Sequence, residues 1–533
     1  MQFLKKFKLP KISKPQWIQV LIVAVFFATF LGVGLSVYKD YGISSDESVD
    51  YARGKISYIR LRGGSIEEYQ EQCSNYNNLC NYPPFFSMVL FRAAPSGDWY
   101  DILYTRHLVS FLFFAFSVFI FYLLGTKIFK NWKIGLLGSV FLVLSPRIFA
   151  NSFFNPKDIP FLSAYIITMY TLLLFIEKKN WWTAILHGLA TGMAISIRIP
   201  GVILLPITAL FYFANLFFTK QLSWKSFFKM VGLGALIGLF CAVFVYCFFP
   251  MLYPDPINNF IKSFKLMGDY SWSNYHLFMG KDIQDKLPWY YSIVWFSIGS
   301  PLFYVVLFWI GTIILAVRSS FGRTKAAFAD LLPIYLVGAC GVLPILSIII
   351  GKSVVYTDNR QMYFCYPALL LVSLYGIKSF IDWFKQKTCR WQIVTAIILL
   401  MGLANPIYFM VRYHPFQNVY FNILAGSKMS VVKERFGLDG WAISTKQGLE
   451  YLLKTIPEGQ IRISSFDKRN FIDLDLNTLP RDQRERFVVD NTNPDYVLTA
   501  YRYYPEKNFE DGEIFYSIMV GDTPIMTIYK VKP

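Results

Sequence analysis

Long apolar runs separated by short basic segments constrain the fold of this chain more than any other feature. At about 20 residues per bilayer crossing, such runs predict membrane-spanning helices. Of the 533 residues, 55% are hydrophobic and only 16% are charged, whereas soluble domains average about a quarter charged residues. We therefore expect a polytopic α-helical membrane protein with about eleven spans. The expected spans are residues 17–38, 107–124, 134–150, 159–176, 183–197, 200–218, 230–249, 296–317, 331–350, 362–377 and 391–411.

The distribution of charge predicts how the chain is oriented in the membrane. The net charge is +18, and basic residues cluster between apolar runs, for example in 127–133 and 378–390. Short loops rich in Lys and Arg stay in the cytoplasm, so we expect a cytoplasmic N-terminus and an outer C-terminal domain. Nucleic-acid binding would need the basic residues on one folded surface, and we exclude it. The first run lacks a small-x-small cleavage site, which indicates a retained anchor.

Most acidic residues before residue 412 fall on the predicted outer side, above all in the loop 39–106. Here Asp46 and Glu47 follow Ser45, just beyond the first span. Ser45 can cap a short helix whose dipole favours both acids in its first turn. Alternatively, a carboxylate near the membrane surface can take a proton from an acceptor hydroxyl or amine. The spacing does not choose between these roles, and ordinary soluble-loop charge explains the acids as a set equally well.

Two further outer segments carry charges at membrane depth. The short loop before the fourth span contains Arg147, Lys157 and Asp158, and the turn before the tenth span contains Arg360. Ionisable groups at this depth usually line a polar cavity or a substrate path, and an Arg can hold a phosphate through two hydrogen bonds. The alternatives are helix capping by Asp158 and snorkelling of each basic side chain to the interface.

Aromatic and polar residues are dense in the outer segment 251–290. Asp269, Tyr270 and Trp272 are candidates for contact with a sugar or an acceptor, as is Tyr356 before the tenth span. A position at the lipid–water interface explains each single aromatic residue as well. As a group, these residues suit a mobile cover over a carbohydrate site.

The tail 412–533 has the pattern of a small α/β domain that follows a membrane domain, 1–411. A helix is expected from 444 to about 454, where Pro-Glu-Gly ends it. Strands are expected at 461–466, 496–503, 514–520 and 525–531, with Gly521-Asp522 as a hairpin turn. The tail has no recognisable catalytic constellation. Acceptor recognition, a stabilising lid and a platform for a partner all remain open for it.

Motifs of soluble nucleotide and zinc enzymes are missing from the sequence. There is no P-loop and no HExxH, and the four His residues are scattered. The glycines of 232–238 lie inside a span and indicate close helix packing. Cys73 and Cys80 share the outer loop on the oxidising side, so we expect a disulfide between them. Without a nucleotide site, an activated substrate used on the outer side must arrive in the membrane, as a lipid carrier does.

Together these residues resemble the GT-C glycosyltransferases, and within them the family 39 group of protein O-mannosyltransferases and the bacterial aminoarabinose transferase. The resemblance covers about residues 1–380. Its most specific element is Asp46-Glu47 after the first span, followed by 155–160, which reads Asn-Pro-Lys-Asp-Ile-Pro. Arg106 at the start of the second span and Arg360 at a late span complete the pattern. Asp-Gly-Trp at 439–441 is similar to the tail of uncharacterised bacterial members.

This resemblance implies transfer of a sugar, with inversion, from a polyprenyl-phosphate carrier to an outer glycan, lipid or protein acceptor. Asp46 would deprotonate the acceptor, with Glu47 beside it, and Asp158 would position the acceptor or bind a metal. Positive charge would stabilise the leaving carrier phosphate, and the candidates for this are Lys157, Arg147 and Arg360. The resemblance implies no certain cofactor. A divalent metal stays open, because metal dependence varies among GT-C enzymes and no dense ligand cluster is visible.

Two other functions compete with this interpretation. A lipid or solute transporter, or a flippase of the envelope glycan pathway, also places charges at membrane depth. It should show repeated halves and acids in mid-helix, which the sequence lacks. A non-catalytic assembly protein would use only the tail. The outer part has no Asn-x-Ser/Thr sequon, which favours a bacterial inner membrane as the location.

Overall fold

A computed structural model describes residues 14–75, 79–268, 277–283, 287–321, 325–355, 358–385, 389–466, 472–501 and 509–532. Its first part is almost entirely helical, with one short hairpin of β1 (Leu277–Phe278) and β2 (Lys281–Asp282). The helices of this part are α1 (Lys14–Val37), α2 (Ser45–Leu61), α3 (Ile66–Asn75), α4 (Phe85–Ala93), α5 (Trp99–Phe129), α6 (Trp132–Val143), α7 (Pro146–Phe154), α8 (Asp158–Lys178), α9 (Trp181–Ile197), α10 (Leu204–Phe218), α11 (Trp224–Phe248), α12 (Pro256–Gly268), α13 (Tyr291–Gly299), α14 (Leu302–Phe321), α15 (Lys325–Gly351), α16 (Tyr366–Lys385) and α17 (Cys389–Arg412).

The expected spans all fall on helical segments, but the one expected at 296–317 is wrong as a single helix, because it is divided between α13 and α14. Among the described residues, nine helices are long and apolar enough to cross a membrane, or ten if the bent pair α6 and α7 forms one span. The remaining expected span, 183–197, corresponds to α9, an apolar helix of 17 residues. Length and apolar composition were thus enough to locate the helices, because both are local properties of the chain.

The expected single span 134–150 is wrong as a straight helix. It is divided into α6 and α7, which meet at an angle of 67°. Pro146 is the first residue of α7, a position where proline has no helical hydrogen bond to lose. All residues of α7 are buried, so the bend brings a helix that carries Arg147 and Asn151 into the protein interior beside α8.

Glycines mark close approaches between helices, both in the loop between the first two spans and among the spans. A Cβ on Gly54 of α2 would lie 2.2 Å from the backbone oxygen of Ser87 in α4. Gly188 of α9 would meet the backbone of α11 at 2.7 Å. In contrast, the interpretation of the glycines at 232, 234 and 238 as a packing motif is wrong, because no atom of a neighbouring element in the described part of the chain lies within 4 Å of a Cβ at any of them.

The loop between the first and second spans folds into α2, α3 and α4 on one side of the membrane part. A disulfide joins Cys73 and Cys80, whose Cα atoms are 5.4 Å apart. Both half-cystines are buried with Ile56 of α2 and Tyr69 of α3. The bridge therefore ties the loop to α2, the helix that begins with the acidic pair.

The tail forms a small α/β domain, as expected from the sequence. Its elements are α18 (Met429–Phe436), α19 (Thr445–Thr455), β3 (Ile461–Ser465), α20 (Ile472–Asp475), α21 (Arg481–Arg484), β4 (Phe487–Val489), β5 (Tyr496–Thr499), β6 (Gly512–Val520) and β7 (Thr523–Val531). The five strands are ordered β4-β3-β5-β7-β6, with β3 parallel to β4 and β5, and β7 antiparallel to β5 and β6. The strand β4 was not expected, because three residues carry too little pattern.

The first part of the tail packs into the core of the membrane part. Phe421, Val432, Phe436, Trp441 and Ile443 share one hydrophobic cluster with the spans, whereas the sheet and α19 belong to a second cluster. The predicted fold class, a polytopic helical membrane protein with a C-terminal α/β domain, is confirmed. Its domain border near 412 stays a prediction.

Candidate functional site

The acidic pair lies at the beginning of α2, where a capping box fixes it. Ser44, not Ser45 as expected, is the N-cap residue, and its N–H donates to the Glu47 carboxylate at 3.0 Å. The Ser44 hydroxyl donates to the backbone oxygen of Phe154 at the end of α7, also at 3.0 Å. The capping role predicted for this segment is therefore filled by Ser44 together with Glu47, whose carboxylate is buried. Asp46 is left to point elsewhere.

The Asp46 carboxylate faces two basic side chains from distant parts of the chain. Arg360 donates to its Oδ2 at 2.8 Å, and Lys157 Nζ lies 3.8 Å from the same oxygen. About a quarter of the Asp46 side chain, 26%, is exposed. Neighbouring Glu47 is 2% exposed, so Asp46 is the member of the pair that an external molecule can reach.

Asp158 lies directly behind this contact, at the first residue of α8. Its Oδ1 contacts Arg198, and its Oδ2 lies 3.4 Å from Arg360 Nη1. The expectation that Asp158 is the N-cap of α8 is wrong: Lys157 occupies that position, and Asp158 is the first helical residue. The Asp158 N–H donates to Asn155 Oδ1 at 2.8 Å. Since the Asp158 side chain is 1% exposed, its charge is balanced entirely within the protein.

The pKa of Lys157 is lower than that of an ordinary Lys. Burial lowers the pKa of its ammonium group to about 8, although the Asp46 carboxylate acts in the opposite direction. Arg53 and Arg360 lower this pKa further, and Asp50 raises it. A Lys with this pKa changes charge close to physiological pH, which is unusual for an unperturbed Lys.

A second charged group lies on the buried face of α2 and anchors this helix to its neighbours. The Asp50 carboxylate contacts Arg53, Arg106 at 3.1 Å and the Ser87 hydroxyl at 2.7 Å. Burial alone would raise the pKa of Asp50, but Arg53 and Arg106 hold it below the usual value. Buried charges persist only when they are paired in this way. The group fixes α2 against α5 and α4, and hence fixes the position of Asp46.

His107 contributes to the same support. Its Nε2 lies 3.1 Å from Glu47 Oε1, and its Nδ1 lies 3.3 Å from the backbone oxygen of Tyr38. Both side chains of this pair are buried. Glu47 is thus held by a capping hydrogen bond and by His107. These contacts orient the first turn of α2 from behind.

Arg147 does not join the contacts of Asp46. It lies 3.3 Å from the Asp358 carboxylate, donates from Nε to the backbone oxygen of Tyr420 at 2.7 Å, and stacks on Phe421 at 4.2 Å. Burial raises the pKa of Asp358, while Arg147 and Arg360 lower it. Arg147 therefore borders the site through Asp358, and its guanidinium is largely occupied by protein groups.

Some expected site residues fall outside the described residues. These are the four candidates for contact with sugar or acceptor, namely Asp269, Tyr270, Trp272 and Tyr356. Among the part of the chain that is described, no group of three or more His, Cys, Asp or Glu side chains could hold a metal ion. The carboxylates of Asp46 and Asp158 instead face Arg and Lys side chains.

Two residues at the site were missed by reasoning from sequence alone. Arg198 contacts Asp158 from the end of α9; its place at the end of an apolar helix was an available indication, since ionisable groups at membrane depth are rarely accidental. Trp441 comes from the tail and stacks on Arg360, whose guanidinium carbon lies 4.3 Å from the ring centroid. Nothing local to Trp441 indicates this contact.

The assembled cluster combines a partly exposed carboxylate with an excess of positive charge. Three basic side chains, Lys157, Arg198 and Arg360, surround two carboxylates, Asp46 and Asp158. Such a cluster can attract an anion to its basic members and offer Asp46 as a proton acceptor beside it. The cluster lies where α2, α8, the end of α9 and the segment before α16 meet.

Comparison with known proteins agrees with the resemblance seen in the sequence. Residues 105–247 match the family described as dolichyl-phosphate-mannose-protein mannosyltransferase. This segment contains Lys157, Asp158 and Arg198, while Asp46 and Arg360 lie outside it. No curated protein sequence matches the chain.

Two solved structures are similar to the chain at low sequence identity. ArnT from Cupriavidus metallidurans, crystallised with undecaprenyl phosphate, is 13% identical with a TM-score of 0.46, over 97% of this chain and 98% of that one. The oligosaccharyltransferase of Archaeoglobus fulgidus, in its apo form, is 11% identical with a TM-score of 0.47, over 88% of this chain. The chain spans 61% of the archaeal enzyme's length. The predicted resemblance to GT-C glycosyltransferases of the protein O-mannosyltransferase kind is thus confirmed by the family match over residues 105–247.

Proposed function

We propose that this protein is a membrane glycosyltransferase that moves a sugar from a polyprenyl-phosphate carrier to an acceptor outside the cytoplasm. The observation that carries the proposal is the position of Asp46. It is a partly exposed carboxylate at a helix start, in contact with Arg360 and near Lys157, beside the buried acid Asp158. This arrangement offers a proton acceptor and an anion site within one cluster.

The carrier phosphate binds to Lys157 and Arg360 in this proposal. Without donor, both basic groups lie against the Asp46 carboxylate. A phosphate competes for the same positive charges, and when it binds it draws them away from Asp46. Arg198, engaged by Asp158, keeps that acid neutralised during the exchange. Arg147, which faces Asp358, lies at the border of this site.

The transfer step follows from these positions. The acceptor oxygen or nitrogen attacks the anomeric carbon of the sugar, and its proton passes to Asp46. The bond between that carbon and the phosphate oxygen breaks, and the electron pair stays on the polyprenyl phosphate. Lys157 and Arg360 stabilise the developing phosphate charge. Attack opposite to the leaving group inverts the anomeric carbon, and the acceptor is a glycan, lipid or protein.

The location of the reaction is part of the same proposal. Basic segments between spans are cytoplasmic by the usual charge bias, which leaves Asp46, Asp158 and the tail on the outer side. A donor that is already attached to a membrane lipid is available there, whereas a nucleotide sugar is not. A bacterial inner membrane fits these requirements.

The lowered pKa of Lys157 predicts how binding of the carrier depends on pH. Below about pH 8 Lys157 is charged, and above it the ammonium loses its proton. Affinity for undecaprenyl phosphate is therefore expected to fall as pH rises through this value. Loss of a charged hydrogen bond corresponds to roughly a tenfold larger dissociation constant. Binding to the purified full chain, measured between pH 6.5 and 9.5, tests this.

Lys157→Arg is the matched control for this titration. Arg stays charged over the whole range, so this variant keeps only the pH dependence of the lipid itself. A steeper loss of affinity in the natural protein than in Lys157→Arg supports the role of Lys157. Identical pH profiles for the two proteins contradict it.

The proposed function itself is tested by analysis of lipids from cells that lack the protein. Mass spectrometry of extracted lipids and envelope polymers should show accumulation of a polyprenyl-phosphate-linked sugar and loss of one glycan substituent. The natural chain, supplied in trans, should reverse both changes. An unchanged set of lipid-linked sugars and polymers would exclude the proposed reaction.

A further inference from the structure

The beginning of the tail is attached to the turn that leads into α2. His414 Nε2 lies 2.7 Å from the Asp40 carboxylate, and Gln447 donates to the backbone oxygen of Asp40 at 2.6 Å. The Tyr41 hydroxyl donates to Gln417 at 3.0 Å. Three tail residues thus contact two consecutive residues of the turn. They do so a few residues before Asp46.

The backbones of the two segments also touch. A Cβ on Gly42 would lie 2.3 Å from the backbone oxygen of Ile443. A distance below 3.0 Å leaves no room for a side chain, so a residue larger than glycine at this position would push the tail away. Gly42 lies two residues before Ser44, the N-cap of α2. The start of α2 and the segment around Ile443 therefore form one packed unit.

Trp441 lies at the centre of this unit and faces the charged cluster. The side chain is buried, with Phe154 edge-on at 5.5 Å on one side and the Arg360 guanidinium at 4.3 Å from its ring centroid. The backbone of Phe154 accepts the hydrogen bond from Ser44. The indole ring is therefore held by the same residues that hold the start of α2.

Arg360 needs the contact with the Trp441 ring because its guanidinium bridges two carboxylates. One nitrogen, Nη1, lies 2.8 Å from Asp46 and 3.4 Å from Asp158. A long side chain bridges two acids only if its plane is fixed, and an aromatic face fixes the plane of a guanidinium while attracting its charge. Asp46 and Asp158 lie on different helices, so a small rotation of Arg360 breaks one contact or both.

We infer that Trp441 is a positioning residue, through which the C-terminal domain holds Arg360 between Asp46 and Asp158. The tail thereby completes a site whose charged residues all belong to the membrane part. The consequence for sugar transfer rests on the proposed function, while the positioning of Arg360 does not. The tail is a structural part of the site whatever acceptor it also recognises.

The test compares full-length variants in which the ring facing Arg360 is changed, together with one control variant. Trp441→Leu keeps an apolar side chain but removes the aromatic face, and Trp441→Phe keeps a smaller face. Phe436→Ala is the control, because it removes a buried aromatic residue of the same segment that packs on Trp295 and Phe421. Thermal unfolding in detergent identifies variants that are folded.

The readout is the pKa of Lys157, measured by competitive acetylation and mass spectrometry. Burial is the main cause that lowers this pKa; Asp46 raises it, and Arg360 adds to the lowering. If Trp441 holds Arg360, removal of the indole ring in Trp441→Leu lets Arg360 move away from Asp46. Asp46 can then pair with Lys157, and the pKa of Lys157 rises above about 8. Trp441→Phe and Phe436→Ala should leave it unchanged. An unchanged pKa in folded Trp441→Leu overturns the inference.

Sugar transfer provides the second readout. Trp441→Leu is expected to reduce it roughly tenfold, as loss of a desolvated cation–π contact implies, and Trp441→Phe should retain most of it. If the pKa of Lys157 changes while cells lacking the protein accumulate no lipid-linked sugar, the positioning role stands and the proposed function fails. Full transfer by Trp441→Leu, with an unchanged pKa, rejects the positioning role alone.

Discussion

Replacement of Asp46 by Asn is expected to lower sugar transfer roughly 10²- to 10⁴-fold, the contribution typical of a positioned general base. Asn has nearly the same shape and still accepts a hydrogen bond from Arg360, but it cannot take a proton from the acceptor. Binding of the carrier should be kept or strengthened, because the phosphate no longer competes with a carboxylate for Lys157 and Arg360. Turnover of lipid-linked sugar in membranes, at matched expression, is the measurement.

Asp98→Asn is the matched control for this variant. Asp98 is 25% exposed, against 26% for Asp46, and it also pairs with an Arg of a distant segment, Arg484 at 2.6 Å. It caps α5, a role that Asn fills as well as Asp. Normal transfer by Asp98→Asn with loss in Asp46→Asn assigns the effect to the site. Normal transfer by Asp46→Asn removes the assigned base.

The largest expected effect on stability comes from Asp50. Its replacement by Leu leaves Arg53 and Arg106 buried without their carboxylate, and breaking a buried ion pair in this way costs about 3–5 kcal/mol. Because Arg53 and Arg106 hold the pKa of Asp50 below its ordinary value, the carboxylate is ionised at neutral pH. Its stabilising contribution is present above the ordinary Asp pKa and is lost as pH falls through the lowered one.

Thermal inactivation in detergent, followed by loss of monodisperse protein on gel filtration, measures the effect of Asp50→Leu. The control is Asp382→Asn, which removes an acid of the pair Lys378–Asp382, 39% exposed on the acid side. Exposed pairs contribute only about 0–1 kcal/mol. Equal thermal stability of the two variants would show that Asp50 does not anchor α2.

The membrane helices and the acidic pair were accessible from the sequence because both depend on short segments. The length of an apolar run defines a span, and the acidic pair was noticed because Asp46 lies a few residues after the end of the first span. Lys157, Asp158 and Arg360 were identified because each lies at the end of an apolar run. The bend at Pro146 was not, since a proline at a helix start and a proline at a loop look alike in sequence.

Contacts between distant segments account for what was missed. Arg198 pairs with Asp158 across 40 residues, and Arg147 turns to Asp358 rather than to Asp46 because α7 lies at an angle to α6. Trp441 reaches Arg360 only through the packing of the tail. Each of these depends on how helices are arranged around a common core, which no local pattern specifies.

The close approach of Gly42 to Ile443 has a consequence for how such proteins diversify. If the tail is exchanged between two homologous chains, the new tail has a backbone that fits the turn of its own chain. Its residues around 441 then pack poorly against the turn before α2 of the recipient. Grafts that carry the stretch 40–47 together with the new tail should retain activity, whereas grafts of the tail alone should not. The two segments, far apart in the chain, are expected to be inherited as a single module.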